Sequence, residues 1–147
     1  MQHNMEFADF KLLDIDFHLN KDFKEDKKEE LLYPELFLSY EFASDKKELV
    51  VILGIRKIEG NIPYYFEVKA GSLFRFAEVP QEQLMKQYAT INCPSIMFPY
   101  LRETVADLTR RAGFSPLHLA PINFIEWAKD LEKKEPKKGI KKKKKKK

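Results

Sequence analysis

The stretch from Cys93 to Phe124, CPSIMFPYLRETVADLTRRAGFSPLHLAPINF, decides the fold of this chain. Its apolar residues recur at steps of four, three and four, which predicts a helix with a single apolar stripe. The stripe consists of Leu101, Val105, Leu108 and Ala112. Gly113 is the expected end of this helix, because glycine readily adopts the left-handed conformation common at helix ends. An extended link over 115–121 then leads into a short helix predicted over 122–131.

Prolines set the expected boundaries of the helical part. Pro80 followed by Gln81 and Glu82 is a favourable helix start, since a first-turn residue has no helical donor bond to lose. Pro94 and Pro99 are expected to break or kink the helix, because each removes a donor and its ring clashes with the preceding turn. We therefore predict one long kinked helix and a shorter C-terminal helix.

The chain before Pro80 has the period-two pattern of β-strands. A first strand of about ten residues ends near Leu19. The second follows Pro34 and places Leu36, Leu38, Tyr40 and Phe42 on one face. Residues 49–58 are apolar on both faces at first, which predicts a central strand covered on both sides.

Residues 62–76 form the fourth predicted strand, and Gly71 inside it predicts a bulge or bend. The links at 44–47 and at Gly60–Asn61 are short turns by composition. Four strands with short links favour an antiparallel meander. The predicted fold class is α+β, with a four-stranded antiparallel sheet, the long kinked helix and the shorter helix.

Charge divides the chain into two parts. The net charge is +4, but lysine is concentrated after Lys129, so that the residues before it are net acidic. We predict a folded domain over 1–132 and a lysine-rich disordered tail over 133–147. The tail could also bind nucleic acid or an anionic membrane, since both attract clustered cations. It contains no interleaved aromatic residues for base stacking.

The sequence offers no constellation for catalysis or metal binding. A single cysteine, Cys93, excludes an internal disulfide, and among apolar neighbours it is expected in the core. His3, His18 and His118 are not spaced as zinc ligands. Nothing places two of the carboxylates Asp14, Asp16, Glu103 and Asp107 across a cleft. We predict no enzyme activity, no cofactor and no metal. The N-terminus lacks a signal-peptide pattern and no apolar run could span a bilayer, which favours the cytoplasm.

The order of motifs after Cys93 resembles the SecB-type protein-export chaperones. It contains Cys-Pro, Phe-Pro-Tyr-x-Arg-Glu, Arg-x-Gly-Phe and Leu-Ala-Pro-x-Asn-Phe in the same series. The resemblance implies an ATP-independent cytoplasmic holdase that binds unfolded polypeptides and keeps preproteins export-competent for the Sec translocase. It also implies a homotetramer, a dimer of dimers joined through the long helices.

The chain has 12 Phe and 6 Tyr, a rich supply of rings for one small core. Surplus apolar surface usually forms an interface or a binding groove. The residues predicted to line a client-binding groove are Tyr33, Leu36, Phe37, Phe74, Phe76, Phe124 and Trp127, with ordinary core packing as their alternative role. The residues predicted at a subunit interface are Cys93, Tyr100, Arg102 and Glu103; for Arg102 and Glu103 the alternative is two exposed helix charges.

The chain departs from the family pattern in two places. Leu12 to Phe17 reads LLDIDF, without the usual series of Tyr, Lys-Asp and Ser-Phe-Glu, and the tail is rich in lysine. In exporting members an acidic sheet surface receives the zinc-bearing tail of the motor ATPase SecA, which makes SecA a candidate partner here. Relatives also protect antitoxins of toxin–antitoxin systems. A nucleic-acid-binding protein and an adaptor for one folded partner remain as alternatives.

Overall fold

The computed structural model describes residues 5–27 and 33–133. Four strands come first: β1 (Met5–Leu19), β2 (Glu35–Phe42), β3 (Glu48–Lys57) and β4 (Tyr64–Phe76). A continuous helical stretch comes next, formed by α1 (Glu82–Gln87), a π-helical segment (Tyr88–Asn92) and α2 (Cys93–Arg111), together called the long helix. A short helix, α3, covers 124–133. The predicted α+β class, sheet and two helices are confirmed. The predicted tail beyond residue 133, and His3, lie outside the described residues.

The sheet has the strand order β1-β4-β3-β2, with every neighbouring pair antiparallel. The last three strands form the predicted meander, but β1 pairs with β4 and not with β2. The prediction of a meander over all four strands is therefore wrong. Side chains tie the chain after β1 to the turn before β4: Asn20 Nδ2 donates to the Ile62 carbonyl at 2.9 Å, and Asn61 Oδ1 accepts from the Lys24 N–H at 3.0 Å.

Strand β1 contains two extra residues relative to its partner. It has 15 residues against 13 in β4, and its register shifts between Phe7 and Asp9 and again between Leu12 and Asp14. The register of β3 against β4 runs through Gly71 without a shift, so of the bulge or bend predicted there the bulge is wrong. The absent side chain of Gly71 instead gives room to Leu13, whose Cδ1 would lie 2.9 Å from an added Cβ.

The core lies between one face of the sheet and the long helix. Alternate residues of β3 and β4 are buried on this face, and Leu101 and Val105 of α2 pack onto them with at most 1% exposure. The opposite, outer face of the sheet is open, as Val50 shows with 45% exposure. The prediction that β3 is covered on both sides is wrong. The inner face of β3 is buried in the core, whereas the apolar residue Val50 of its outer face is exposed. The central position of β3 in the strand order therefore accounts for only part of its apolar run.

Neither proline ends the long helix, so of the two expected outcomes, a break or a kink, the break is wrong. Pro94 is the second residue of α2, and the π-helical segment that ends at Asn92 interrupts the regular bonding pattern before the proline is reached. Pro99 lies inside α2, where it and Ser95 are exposed. The Ser95 carbonyl that loses its donor therefore lies on the hydrated side, which lowers the cost of the missing bond.

The long helix ends at Arg111, and Gly113 follows its cap residue Ala112 as the predicted terminating glycine. This glycine has φ of +97°, and the next N–H, of Phe114, donates to the Thr109 carbonyl at 3.0 Å. The buried Thr109 side chain then fixes the extended link. Its hydroxyl accepts from the Leu117 N–H at 2.9 Å and lies 3.0 Å from the Val105 carbonyl as donor. The start of α3 is capped by Asn123, whose Oδ1 accepts from the Ile125 N–H at 3.1 Å.

Candidate functional site

One depression lies at the free edge of β2 and is called the β2-edge depression. It has a volume of about 420 Å³ and is lined by Ser39, Tyr40, Glu41, Phe42, Ala43, Glu48, Val50 and Ile52. Tyr40 and Val50 are 37% and 45% exposed. Within the described residues β2 pairs only with β3, so its other edge presents backbone donors and acceptors to solvent. The depression thus combines apolar side chains with an unpaired strand edge.

A larger groove of about 650 Å³ runs between β1 and the long helix and is called the β1–helix groove. Its sheet side includes Phe10, Leu12 and Ile15, and its helix side includes Tyr100, whose ring centroid lies 5.0 Å from that of Phe10. Leu12 and Ile15 are 42% and 46% exposed. Phe10, Leu12, Ile15 and Tyr100 thus form a partly exposed apolar cluster, a kind of surface at which proteins often interact.

Charged groups border the far end of this groove. Asp107 Oδ2 accepts from Arg111 Nε at 2.9 Å, and Asp107 also pairs with Arg110. These two hydrogen bonds lower the pKa of Asp107, Arg111 contributing most. Asp107 is therefore a charged partner of two arginines.

A small pocket of about 180 Å³ lies between the long helix and the link that leads to α3, and is called the Arg102 pocket. Its lining is Ser95, Phe98, Pro99, Arg102, Pro121, Ile122 and Phe124. Phe98 and Phe124 are 6% and 5% exposed and meet edge to face, with ring centroids 5.8 Å apart. Arg102 is the single charged residue of the lining and is partly buried.

Near the start of β2, Tyr33 is 75% exposed and lines a shallow pocket of about 90 Å³ with charged neighbours. Arg56 Nε donates to Glu35 Oε1 at 3.0 Å, and this bond raises the pKa of Arg56. The Phe37 ring lies 5.3 Å from Arg56 Cζ and covers Gly54 on the outer face. The exposed apolar surface here is broken by ion pairs.

The seven residues predicted to line one groove lie in three places. Tyr33, Leu36 and Phe37 are at the start of β2. Phe74 and Phe76 are in the core, with 0% and 5% exposure, which is their alternative role. Phe124 and Trp127 belong to α3 and pack against each other with ring centroids 5.6 Å apart. The predicted set therefore belongs to three different parts of the described chain, and its role in client binding stays a prediction.

The most exposed apolar residues of the sheet include several outside that predicted set. They are Leu12, Leu13, Ile15, Leu19, Tyr40 and Val50. Their alternating pattern marked them as strand residues. For the residues of β1 and β2 this exposure follows from the strand order, which places these strands at the two edges, and the sequence pattern alone did not reveal this order. Val50 lies on the inner strand β3 and is exposed because the outer face of the sheet is open.

The four residues predicted at an interface are also separated. Cys93 is fully buried, and its Sγ lies 3.6 Å from Met5 Sδ, so it belongs to the core and offers no surface to another subunit. Burial raises the pKa of the Cys93 thiol to about 12. Tyr100 and Glu103 line the β1–helix groove, whereas Arg102 lines its own pocket.

Residues 5–27 and 33–133 hold no group of three or more His, Cys, Asp or Glu side chains that could bind a metal ion. Asp14 and Asp16 lie on β1 opposite Lys69 and Glu67, and both are exposed. Over the same part of the chain, no helix has the length and apolar character needed to cross a membrane.

Comparison with known proteins gives a consistent result. The sequence model of one family, described as "Preprotein translocase subunit SecB", matches residues 39–133. A protein-export protein SecB of Acidithiobacillus ferrooxidans is 42% identical over 78 residues, which cover 52% of this chain and 52% of the relative. One from Burkholderia vietnamiensis is 44% identical over 68 residues, covering 46% of this chain and 42% of the relative. The chain thus spans about half the length of the curated relatives it matches.

The fold also agrees with a solved structure. This is the Mycobacterium tuberculosis SecB-like chaperone in complex with a ChAD peptide from the HigA1 antitoxin, similar at a TM-score of 0.60 and 22% identity. The similarity covers 81% of this chain and 88% of that one. Since the family match spans well over half of the sequence and the fold agrees, the chain belongs to the SecB family.

Proposed function

We propose that this protein is an ATP-independent holdase chaperone that binds unfolded polypeptides in the cytoplasm and keeps preproteins competent for export. The observation that carries the proposal is the β2-edge depression, where exposed apolar side chains lie beside an unpaired strand edge. Family membership and the protein-export names of the curated relatives support it.

The depression suits an extended chain of variable sequence. Backbone groups along the free edge of β2 can bond to a client backbone, which is the same for every sequence. Tyr40 and Val50 add apolar contact without demanding one particular side chain. Several such weak contacts along one client strengthen each other through effective concentration. The client is held and released unchanged, so the proposal includes no catalytic step.

We also propose that the protein assembles as a homotetramer, a dimer of dimers. Strand β1 is the other edge of the sheet and carries Leu12, Leu13, Ile15 and Leu19, which are 42–54% exposed. An exposed apolar edge strand is a template for pairing with another chain. The β1–helix groove continues this surface to Tyr100 and Glu103, so it supplies a second contact for a neighbouring subunit.

SecA is the proposed partner for export. The outer face of β1 carries the exposed carboxylates Glu6, Asp9, Asp14 and Asp16, and an acidic surface attracts a cationic, metal-bearing peptide. Titration of the protein with the zinc-loaded tail peptide of SecA should give saturable binding that Asp14→Asn with Asp16→Asn weakens. The matched control is Asp45→Asn, in the exposed turn between β2 and β3.

The chaperone proposal is tested by aggregation of a chemically denatured model client without ATP. The wild-type chain should suppress light scattering at a several-fold molar excess, and Tyr40→Ser with Val50→Ser should suppress it less. Val79→Ser is the control, because Val79 is 49% exposed and lines neither the β2-edge depression nor the β1–helix groove.

A chain ending at Lys133 should keep its activity in moderate salt, since apolar contacts are hardly screened. Unchanged scattering with the wild-type chain would refute the proposal.

Protection of an antitoxin is a second candidate function. It is favoured by the structural neighbour, a SecB-like chaperone bound to an antitoxin peptide. Mass spectrometry of polypeptides recovered with the protein from its own cells distinguishes the two. Many preproteins indicate export, whereas one dominant small partner indicates antitoxin protection.

A further inference from the structure

The outer face of the sheet carries most of the charged side chains of the four strands. Paired residues of neighbouring strands share a face, so Asp14 and Asp16 of β1 lie on the same face as Lys69 and Glu67 of β4. Across the described strands this face has eight carboxylates against four basic side chains, and it is therefore net acidic. The carboxylates belong to Glu6, Asp9, Asp14, Asp16, Glu35, Glu41, Glu48 and Glu67.

The acidic excess of this face lies mainly on β1. This strand contributes four of the eight carboxylates but only one of the basic residues, Lys11. The arginines of the face lie on β3 and β4, where Arg56 and Arg75 each form an ion pair with a glutamate at 3.0 Å. The proposed assembly uses the β1 edge and the β1–helix groove, which lies on the helix side of the sheet. The outer face of β1 therefore remains open in that assembly.

The sequence contains a segment of opposite charge. Residues 134–147, called the lysine tail, hold ten lysines and one glutamate and lie outside the described residues. Fourteen residues can span about 46 Å when extended. The outer face of β1 from Glu6 to Asp16 is roughly 27 Å long, because the partners of these two residues, Arg75 and Glu67, are eight positions apart on β4. The tail is thus long enough to follow the acidic strand.

The point at which the tail leaves the described chain is close to the start of β1. Glu132 Oε1, near the end of α3, lies 3.7 Å from Lys86 Nζ of α1. Two residues after Lys86, the ring of Tyr88 lies with its centroid 5.4 Å from that of Phe76. Phe76 in turn pairs with Met5, the first residue of β1. The tail therefore begins at the end of the sheet that carries Glu6.

From this agreement of charge, length and position we propose that the lysine tail docks on the outer face of β1 and shields its carboxylates from other cationic segments. A single lysine–carboxylate contact at an exposed site is weak. A tethered segment compensates for this weakness, because its effective concentration is in the millimolar range. The tail is held loosely, and a cationic partner has to displace it. This role goes beyond holdase activity, and it bears on SecA because both cationic segments would use the same face.

Other surfaces attract the tail less. The far end of the β1–helix groove is bordered by Arg110 and Arg111, and like charges repel. On the outer face itself, Arg56 and Arg75 place positive charge on β3 and β4. The outer face of β1 is therefore the surface on which a run of lysines gains most.

The first test follows the tail in the full-length protein. Gly139→Cys provides a labelling site within the tail, and a maleimide dye reacts there selectively because Cys93 is buried. The anisotropy of the dye should be higher in about 20 mM salt than in about 500 mM salt, since ionic contacts are screened. Asp14→Asn with Asp16→Asn should bring the low-salt anisotropy down to the high-salt value, and circular dichroism checks that the variant is folded.

The matched control removes two carboxylates elsewhere. Asp45→Asn with Glu59→Gln changes exposed residues in the turns on either side of β3, and should leave the anisotropy unchanged. Equal effects of the two double substitutions would show a general attraction to an acidic protein and would overturn the proposal. A dye anisotropy that is insensitive to salt and rises only with vesicles of anionic phospholipid, or with single-stranded DNA, would overturn it too, and would assign the tail to an external polyanion.

The second test measures the shielding with a fluorescein-labelled octalysine peptide. A full-length variant with glutamine at every position from 141 to 147 should bind this probe roughly tenfold more tightly than the wild type, as expected when a tethered competitor at about 1 mM is weakened from a dissociation constant of about 0.1 mM. Adding Asp14→Asn with Asp16→Asn should remove most of this gain, whereas Asp45→Asn with Glu59→Gln should preserve it. Equal affinity of the wild type and the glutamine variant would refute the shielding. Neither test uses a client or SecA, so failure here leaves the proposed function standing.

Discussion

At the scale of single residues, Cys93 shows how burial controls chemistry. The thiol is enclosed in the core, where loss of hydration disfavours the thiolate and raises the pKa from 9.0 to about 12. We expect the native protein at pH 8 to react with a thiol-specific disulfide reagent at least about a hundredfold more slowly than the urea-unfolded protein. Fast reaction of the native protein would show that Cys93 is accessible.

The same shift has a consequence for folding at alkaline pH. Because the thiol pKa is higher in the folded state, the contribution of Cys93 is complete below pH 9 and is lost as the pH rises toward about 12. Cys93→Ala should therefore flatten this part of the stability profile measured by urea unfolding.

Thr109 is a second residue whose role depends on burial. Its hydroxyl accepts from the Leu117 N–H at 2.9 Å and lies 3.0 Å from the Val105 carbonyl. Thr109→Val keeps the shape but leaves the Leu117 N–H without its partner, and should lower the free energy of unfolding by about 1–3 kcal/mol. Thr104→Val is the control, since Thr104 bonds only within its own helix, to the Tyr100 carbonyl, and should cost less than about 1 kcal/mol. Equal losses of unfolding free energy for the two variants in a denaturant titration would contradict this role of the Thr109 hydroxyl.

At the scale of elements, β2 and β3 pack closely because Gly54 of β3 has no side chain at the place where the Phe37 ring of β2 lies. The Phe37 ring covers Gly54 so closely that an added Cβ would lie 2.0 Å from Phe37 Cζ. Gly54→Ala should displace the ring and lower the free energy of unfolding by about 1–3 kcal/mol. In a Phe37→Ala background the same change should cost much less, because the clash is gone and glycine in a strand is itself unfavourable. Additive effects in thermal or urea unfolding would show that the two sites are independent.

The sequence predicted these elements well where the signal is local. Gly113 ended the long helix and the turns between β2, β3 and β4 fell as expected, because each depends on a few adjacent residues. The helix break expected at Pro94 and Pro99 was wrong, because the cost of a proline in a helix depends on the surroundings of the carbonyl that it leaves unpaired. Here a π-helical segment precedes one proline and an exposed helix face holds the other. The bulge expected at Gly71 was also wrong, because the space left by the absent side chain of this glycine is filled by Leu13 from β1.

At the scale of the whole molecule, the two sheet edges are expected to serve different partners. Leu12→Glu with Ile15→Glu places charge on the exposed apolar face of β1 and should convert the assembly to smaller species without unfolding the subunit. Light scattering gives the mass and circular dichroism checks the fold. Val79→Glu is the matched control on another exposed valine. A wild-type protein that is monomeric at micromolar concentration would contradict the proposed assembly.

Strand order decided which part of the site could be predicted. The large number of aromatic residues indicated a binding surface. The location of that surface depends on the pairing of β1 with β4, which is a contact between distant parts of the chain. With that pairing, Phe74 and Phe76 lie in the core and Tyr40 lies on an edge strand. Period-two patterns specify which residues share a face, and contain little information on which strand lies beside which.

The two extra residues of β1 give this strand an uncommon tolerance to changes in length. A one-residue deletion in a regular strand inverts every side chain beyond it, because the faces alternate. Leu12 and Asp14 pair with the adjacent residues Ala70 and Lys69, so that Leu13 can be removed while its neighbours keep their partners and faces. The same holds for Ala8, between Phe7 and Asp9. Relatives of this chain could therefore lose a codon at either position during evolution and keep the same sheet, whereas a loss within β4 would turn its core side chains to the outside.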